Sequence, residues 1–405
     1  MTTPQQPPDV IVGVLQFTRK ARLADAGVPF LAPFCGSNNC DIRSIRCHSK
    51  RRHDAWAKIS RRTGELIEIL GDTGHEGTER IALLLQHDIL PCKYPRLFGH
   101  SLSDVPKSDY STKVAEHDAV TVDGRFTRDR DDALSLRPDG DHRLLLGIHI
   151  TDVTHYLVEK LDTLQLLSWA RHRASSAYCS DGTSYPMLPP TLAHETFSLV
   201  AGRTQPCISV YLTVDVHQGH VISRAHNLSS WIHVRENVTY QDLATQSNLN
   251  DLRRCLERCC GSSDPEQQVA WAMTQYNLYF ARFCCSCSNN TLRDNAILRV
   301  QPSHEQHAMY VWAPSCLTGD NDNHRGHAAF GGEAYGHFTS PIRRYADLHN
   351  QFVIKGFGLT GEDGGHEQTD DMPRTQRLPR LPQQPDGRGS TVSCKRNHHD
   401  SGVSL

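Results

Sequence analysis

The sequence predicts an α+β protein: a small antiparallel β unit, then a mixed block of strands and helices, then an unstructured C-terminal tail. Three observations carry that expectation. Residues 10–72 hold short apolar stretches, VIVGVLQF, VPFLAPF and GELIEIL, parted by Gly, Asn, Ser and charged turns, which is the texture of short antiparallel strands. From residue 118 the runs AVTVDG, HRLLLGIHITDVTHYL and PCISVYLTVDVHQGHVISRAH are strand-like and rich in β-branched residues. Beyond Gly356 the chain passes into GLTGEDGGHEQTDDMPRTQRLPRLPQQPDGRGS, too poor in apolar side chains to offset the entropy of ordering it.

Taken in order, residues 1–9 are expected to be disordered and residues 10–72 to form the β unit. Residues 73–117 read as a linker containing a helix at 78–88 (TERIALLLQHD), after which Pro91, Pro95 and Pro106 mark irregular chain. The core block spans 118–356, with helices expected at 161–174, 251–260, 265–285 and 341–356, the last opened by Ser340-Pro341. Residues 357–405 form the low-complexity tail, and no internal repeat is present.

Composition narrows the function classes. The chain has 405 residues, 38% hydrophobic and 22% charged, an apolar share low enough to fit disordered segments beside a folded core. No apolar run approaches the roughly 18 residues a membrane span requires, and the start MTTPQQPPDV lacks a signal-peptide pattern. These features predict an intracellular protein, with the cytoplasm ahead of nucleus or organelle, and no membrane partner. In that setting fourteen cysteines stay reduced, and the sequons at Asn227, Asn237 and Asn289 carry no meaning. Cys35, Cys40, Cys47 and His48, and the later groups Cys255, Cys259, Cys260 and Cys284, Cys285, Cys287, are read as helix-face or core cysteines. A net charge of −2 argues against a uniformly basic coat but allows local patches, such as Lys50, Arg51, Arg52 and His53 followed by Lys58, Arg61 and Arg62.

The most informative segment is Asp123-Gly-Arg-Phe-Thr-Arg-Asp129-Arg-Asp131-Asp132, four carboxylates at the end of a strand-like run. Their mutual repulsion is costly unless a cation lowers it. Hard oxygen ligands suit Mg²⁺, which binds through one or two carboxylates together with phosphate oxygens and waters. Two such ions can activate a water and stabilise the leaving oxygen of a phosphodiester. Two competing readings stay open on the residues alone: a solvated acidic loop, and a calcium loop. Against the second, the segment lacks the sixth-position Gly and twelfth-position Glu of an EF-hand.

TVDGRFTRDRDDALSL followed by LLLGIHITDVTHYL resembles the catalytic-domain signature of the ribonuclease II/R (RNB) family. The likeness continues in register through SSAYCSDGTSYPMLPPTL, TFSLVAGRTQPCISVYLTVDVHQGHVIS, ILRVQPSHEQ and AYGHFTSPIRRYADL. It implies a mixed α/β RNB catalytic domain over 118–356. It also implies a 3′-to-5′ exoribonuclease that hydrolyses single-stranded RNA to nucleoside 5′-monophosphates by a two-metal mechanism. Asp123, Asp129, Asp131 and Asp132 would hold Mg²⁺, with Mn²⁺ as a substitute, and Asp131, Asp132 and Arg343 would be catalytic. Arg343 and Arg344 would bind phosphate by bidentate hydrogen bonds, and Tyr178 would stack on the 3′-terminal base. The loop Tyr185-Pro-Met-Leu-Pro-Pro190 would shape the site wall, while His149 and His155, alternating along a strand, would be hydrogen-bonded framework.

The N-terminal unit is similar to a cold-shock-type OB β-barrel, a single-strand-binding fold with a basic groove and aromatic platforms. Phe17, Phe30, Phe34 and Trp56 are candidate platforms, though such residues more often fill a small barrel's core. The chain departs from the family pattern in being shortened between Leu243 and Val269 and between Val311 and His337, and in passing into its tail where the family continues to an S1-type barrel. The expected partners are single-stranded RNA and subunits of an RNA-decay complex. The alternative is a catalytically silent RNA-binding or RNA-decay accessory protein that keeps the RNB fold.

Overall fold

The computed structural model describes residues 10–17, 28–31, 43–45, 51–60, 63–86, 115–157, 163–178, 182–287, 290–301, 308–313 and 326–356. The expectations for 1–9, for the 357–405 tail, and for Phe34, Cys35, Cys40, Cys47, His48, Lys50, Arg61 and Arg62 lie outside these residues. The chain falls into two units, the first gathering the residues up to 86 together with Ala177–Tyr185, the second holding the remaining described residues.

In the first unit, strands β1 (Val10–Leu15), β2 (Val28–Leu31), β3 (Arg43–Ile45), β4 (Ala55–Ser60) and β5 (Leu66–Asp72) form an antiparallel sheet in the order β3-β2-β1-β4-β5. Alternation along β4 sets its two faces. Ala55, Ala57 and Ile59 pack with Leu15, Phe17 and Ile45, whereas Trp56 faces Val12 and Ala82 of helix α1 (Glu76–Gln86). Phe17 and Trp56 are therefore core residues rather than exposed platforms. No strand pairing joins β3 to β5 among the described residues, so the sheet is not shown to close into the expected barrel. The basic run is partly neutralised across the sheet, because Arg51 pairs with Asp72 and Lys58 with Glu68 at 2.7 Å.

The second unit is built around a closed barrel. Strands β6 (His117–Asp123), β7 (Asp132–Pro138) and β8 (Arg143–Thr151) are followed by helices α2 (Val153–Leu157) and α3 (Thr163–Arg173). The hairpin of β9 (Ala177–Tyr178) and β10 (Ser184–Tyr185) belongs to the first unit, where Ala177 and Leu84 form a small cluster against Tyr185. Strands β11 (Thr204–Asp215) and β12 (Val221–Thr239) then complete a barrel ordered β11-β12-β6-β7-β8. Closure depends on β12 running parallel to β6, with Val238 opposite Val122 and Thr239 opposite Asp123. The sequence indicated only mixed strands and helices; the barrel arises because β11 and β12 are long enough to pair on both sides.

Helices α4 (Tyr240–Thr245), α5 (Asn250–Cys260) and α6 (Pro265–Ser286) follow. A reciprocal Thr239–Asp242 capping box starts α4, and Asp264 with Pro265 at the first helical position starts α6. Cys255 and Cys284 are buried on these helices. A short helix α7 (Asn290–Asn295), the hairpin of β13 (Ile297–Val300) and β14 (Met309–Trp312), and helix α8 (Tyr345–Ile354) end the unit. No helix among the described residues is long and apolar enough to cross a membrane.

His155 lies in helix α2, not on the strand with His149. Helix α8 begins at Tyr345 rather than 341, because residues 340–344 turn back on themselves, with the N–H groups of Arg343 and Arg344 both donating to Ser340 O at 3.2 and 2.9 Å.

Candidate active site

Strand pairing brings the aspartates to one end of the barrel. Asp123 ends β6 and Asp132 begins β7, opposite Ile150, while Thr151 N–H donates to Asp131 O at 2.9 Å. The connecting loop is closed by a Thr127 N–H to Gly124 O bond at 2.9 Å. Buried Ser198 staples its far side, its hydroxyl accepting from Arg130 N–H and donating to Arg128 O, both at 2.8 Å. Leu199 N–H adds a bond to Arg130 O at 3.0 Å. Four carboxylates spread over ten residues are thus fixed on a rigid rim.

The turn at 340–344 meets this rim from the far end of the sequence. Asp131 is 2% exposed. Its Oδ1 accepts from Ile342 N–H at 2.8 Å, and its Oδ2 from Arg343 Nε at 3.3 Å. Asp347, fully buried on α8, grips the same turn from the other side, accepting from Ser340 N–H and an Arg344 guanidinium N–H, both at 2.7 Å. Ser176 N–H donates to Arg343 O at 2.8 Å. The two arginines are consequently unlike. Arg343 keeps a 46% exposed side chain at the carboxylates, whereas Arg344 is drawn onto Asp347.

Burial dominates the electrostatics. It raises the Asp131 pKa to about 7, against the lowering influence of Arg343 and the Ile342 N–H, with further upward pressure from Asp129 and Asp347. Asp132 is raised by burial and then by Asp123 and Asp131. Asp123 is raised by burial, opposed by Thr121, Arg130 and Arg343. Asp129 has His194 Nδ1 at 2.5 Å from its Oδ1, an ion pair when the imidazole is protonated. Tyr240, at the start of α4, is pushed up to about 12 by burial and by Asp132 and Asp123, and so stands within their field.

The donor set suits a hard divalent cation: acidic oxygens packed at low dielectric, with Asp123 Oδ2 buried and accepting no hydrogen bond. Asp131, by contrast, already has both oxygens engaged. No three His, Cys, Asp or Glu side chains among the described residues converge as a ready-made cage. The chemistry of the residues fits a metal, and coordination would require their side chains to turn.

Of the expected site residues, the structure brings together Asp123, Asp129, Asp131, Asp132 and Arg343. Tyr178 belongs to the first unit and is 47% exposed on β9. Residues that the sequence did not single out are His194, Ser198, Tyr240, Asp347 and Phe126. His194 lies on a single π-helical turn (Leu192–Thr196), a feature common at functional sites. Phe126 is 88% exposed within the aspartate loop, with the Arg125 guanidinium 5.7 Å from its ring centroid. An aromatic inside an acidic loop was a legible signal; the roles of Ser198 and Asp347 became visible only through tertiary contact.

Ribonuclease R of Thermotoga maritima is 32% identical over 167 residues, 39% of this chain and 22% of that protein. Exoribonuclease 2 of Edwardsiella piscicida is 36% identical over 121 residues, 30% of this chain and 18% of that protein. The chain thus matches about a fifth of the length of these curated relatives. Among solved structures, apo Mycoplasma genitalium RNase R superposes with a TM-score of 0.61 at 14% identity, covering 87% of this chain and 70% of that one. Yeast Ssd1, described as a pseudonuclease, gives 0.64 at 17% identity, covering 89% and 57%. The family model for the RNB domain matches residues 111–255 and 267–358, more than half of the sequence. With the aspartate rim and the Ser340–Arg344 turn both inside that match, the chain is a member of the RNB family.

Proposed function

We propose that the chain is a 3′-to-5′ exoribonuclease that hydrolyses single-stranded RNA to nucleoside 5′-monophosphates. One observation carries this reading: a turn bearing an exposed arginine is anchored by its own backbone to a buried aspartate inside a four-carboxylate cluster. A purely structural rim gains nothing from buried carboxylates that raise one another's pKa.

In this reading Asp123, Asp129, Asp131 and Asp132 hold Mg²⁺, with Mn²⁺ as a substitute. Two bound ions would supply the positive charge that a phosphodiester needs at the attacking and leaving oxygens. Arg343 forks the phosphate, its position set by the Ile342 N–H to Asp131 bond and by the grip of Asp347 on the turn. Arg344 contributes chiefly by orienting that turn through Asp347. Phe126 and Tyr178 offer ring faces to bases, a contact that tolerates any base. The N-terminal sheet is assigned as a partly open cold-shock-type barrel that guides the strand, on the support of its five antiparallel strands. Subunits of an RNA-decay complex are proposed partners, and the domain limits 10–72 and 118–356 are kept as working boundaries.

A second reading, a silent RNA-binding protein, has its own support: Asp131 is engaged by the chain itself, and among the described residues no three ligands converge. The two separate on one experiment. Purified protein is incubated with a 5′-labelled RNA bearing a single-stranded 3′ tail, in Mg²⁺ or EDTA, beside Asp131→Asn. A Mg²⁺-dependent ladder that shortens from the 3′ end and is absent from the variant supports the enzyme. Intact RNA in every lane, shifted in a native gel, leaves the binding reading.

A further inference from the structure

At the opposite end of the barrel from the aspartates lies a cavity of about 510 Å³, walled by β7, β12, the β11–β12 connection and α5. Asp132 opens β7 and Arg137 lies five residues on, roughly 17 Å along an extended strand. The lining reaches back along the strands as far as Leu134 and Val120 but includes none of Asp123, Asp129, Asp131, Asp132 or Arg343, so the hollow is distinct from the candidate active site. Its floor is apolar, formed by Leu134, Leu136, Leu144, Leu249 and Leu252.

Four guanidinium groups border that floor: Arg137 on β7, Arg235 on β12, and Arg254 and Arg258 on α5. Arg258 donates to Val216 O. Among the described residues, Arg137, Arg235 and Arg254 have neither an ion pair nor a hydrogen-bonded acceptor. Three carboxylates share the wall. Of these, Asp215 is engaged by its own turn, its Oδ1 accepting from His217 N–H at 2.8 Å and Gln218 N–H at 2.7 Å. Asp118 and Asp251 then face four cations drawn from three separate elements. Exposed charges on a convex face would diverge into solvent; these line a concavity, where their repulsion is relieved by an anion that spans them.

The geometry points to this cavity as a binding site for a nucleotide unit, its base on the leucine floor and its phosphate forked by Arg235 and Arg254. The volume falls in the ordinary range of small-ligand sites. An apolar floor beside planar, bidentate donors matches a ligand that is flat and apolar at one end and anionic at the other. The unit is either a free mononucleotide or one residue of an RNA strand. The site stands independently of whether the aspartates turn over RNA.

The test titrates the full chain with AMP and, separately, with an oligoadenylate, beside the double variant Arg235→Glu/Arg254→Glu. Binding is read by calorimetry, and fold by circular dichroism. Both arginines are exposed, so the variant is expected to keep the parent's melting curve without ligand. AMP binding that weakens at least about tenfold in the variant, a difference of about 1.4 kcal/mol, establishes the site for free mononucleotides. Binding of the oligoadenylate alone, weakened equally, establishes it for an RNA-borne unit. Equal affinities in parent and variant, or no binding of either ligand, overturn it. RNA shortening within twofold of the parent in the double variant, against its loss in Asp131→Asn, separates this outcome from that of the hydrolytic reading.

Discussion

The barrel holds two sets of buried polar groups that the fold treats in opposite ways. Between β7, β8 and β11, His149 is fully buried with both ring nitrogens matched, Nε2 to Ser135 Oγ at 2.8 Å and Nδ1 to Ser209 Oγ at 2.7 Å. The chain continues from Ser209 to Ser230 at 2.5 Å, and Ser230 donates to Cys207 O at 2.9 Å. At the rim, Asp123, Asp131 and Asp132 are set against one another, and Asp123 Oδ2 accepts nothing. The framework groups are matched by neutral hydroxyls within the chain, whereas the rim packs carboxylates against one another, holding Asp131 on the 340–344 turn and leaving Asp123 Oδ2 without a hydrogen bond.

The sharpest way to break the contrast is Asp131→Asn, which keeps shape and the acceptor for Ile342 N–H but removes charge. On the proposed hydrolytic activity, RNA shortening should fall on the order of 1,000-fold, equivalent to about 4 kcal/mol, with an unchanged circular dichroism spectrum. Arg343→Ala removes the exposed guanidinium and should reduce kcat by about 100-fold, with Arg343→Lys recovering part of it in single-turnover assays. Full activity in either variant would remove that residue from the mechanism.

On the framework side, Gly147→Ala is expected to act on stability instead. A Cβ there would meet Ser135 Oγ at 2.4 Å and His149 Nε2 at 2.6 Å, so overpacking should lower stability by about 2–3 kcal/mol in urea melts. His149 provides a pH signature. Burial lowers its pKa from 6.5 to about 3, so the unfolded chain binds a proton between those values that the folded chain refuses. Stability should therefore fall as pH drops below 6.5, by roughly 1.4 kcal/mol per pH unit for this group. His149→Asn should flatten that slope in melts run from pH 7 to pH 4, whereas an unchanged slope would assign it to other groups. The smallest effect sharpens the rim: Phe126→Ala should weaken single-stranded RNA binding by roughly 1 kcal/mol in fluorescence anisotropy, with no change in melting temperature.

Much of the fold was legible along the chain. Helices expected at 251–260 and 265–285 are observed as Asn250–Cys260 and Pro265–Ser286, because a long helical run, an Asp264 cap and Pro265 are local signals. The strand character of AVTVDG, HRLLLGIHIT and PCISVYLTVDVHQGHVISRAH was equally local, whereas β7 and the second half of β12, beyond His226, were not marked by the sequence. Less legible was the partner of each strand. The parallel β12–β6 pairing that closes the barrel joins residues more than a hundred positions apart, and alternation says nothing about register at that distance. Pro341 read as a helix start, yet Asp347 and Asp131 pull residues 340–344 into a turn that places Arg343 before the helix.

By itself, the sequence determined which chemistry was on offer: four carboxylates in ten residues, an arginine pair after Ser340-Pro341, and the family whose blocks they match. Tertiary structure alone decided which groups meet. Arg343 reaches Asp131 across 212 positions, and Arg344, its chain neighbour, goes to Asp347 instead. It also decided that burial raises the pKa of Asp123, Asp131 and Asp132, and that His149 is neutral and paired. The physical reason is range. Caps, alternation and carboxylate spacing act over a few residues, while burial and long-range contact depend on packing that only the closed barrel creates.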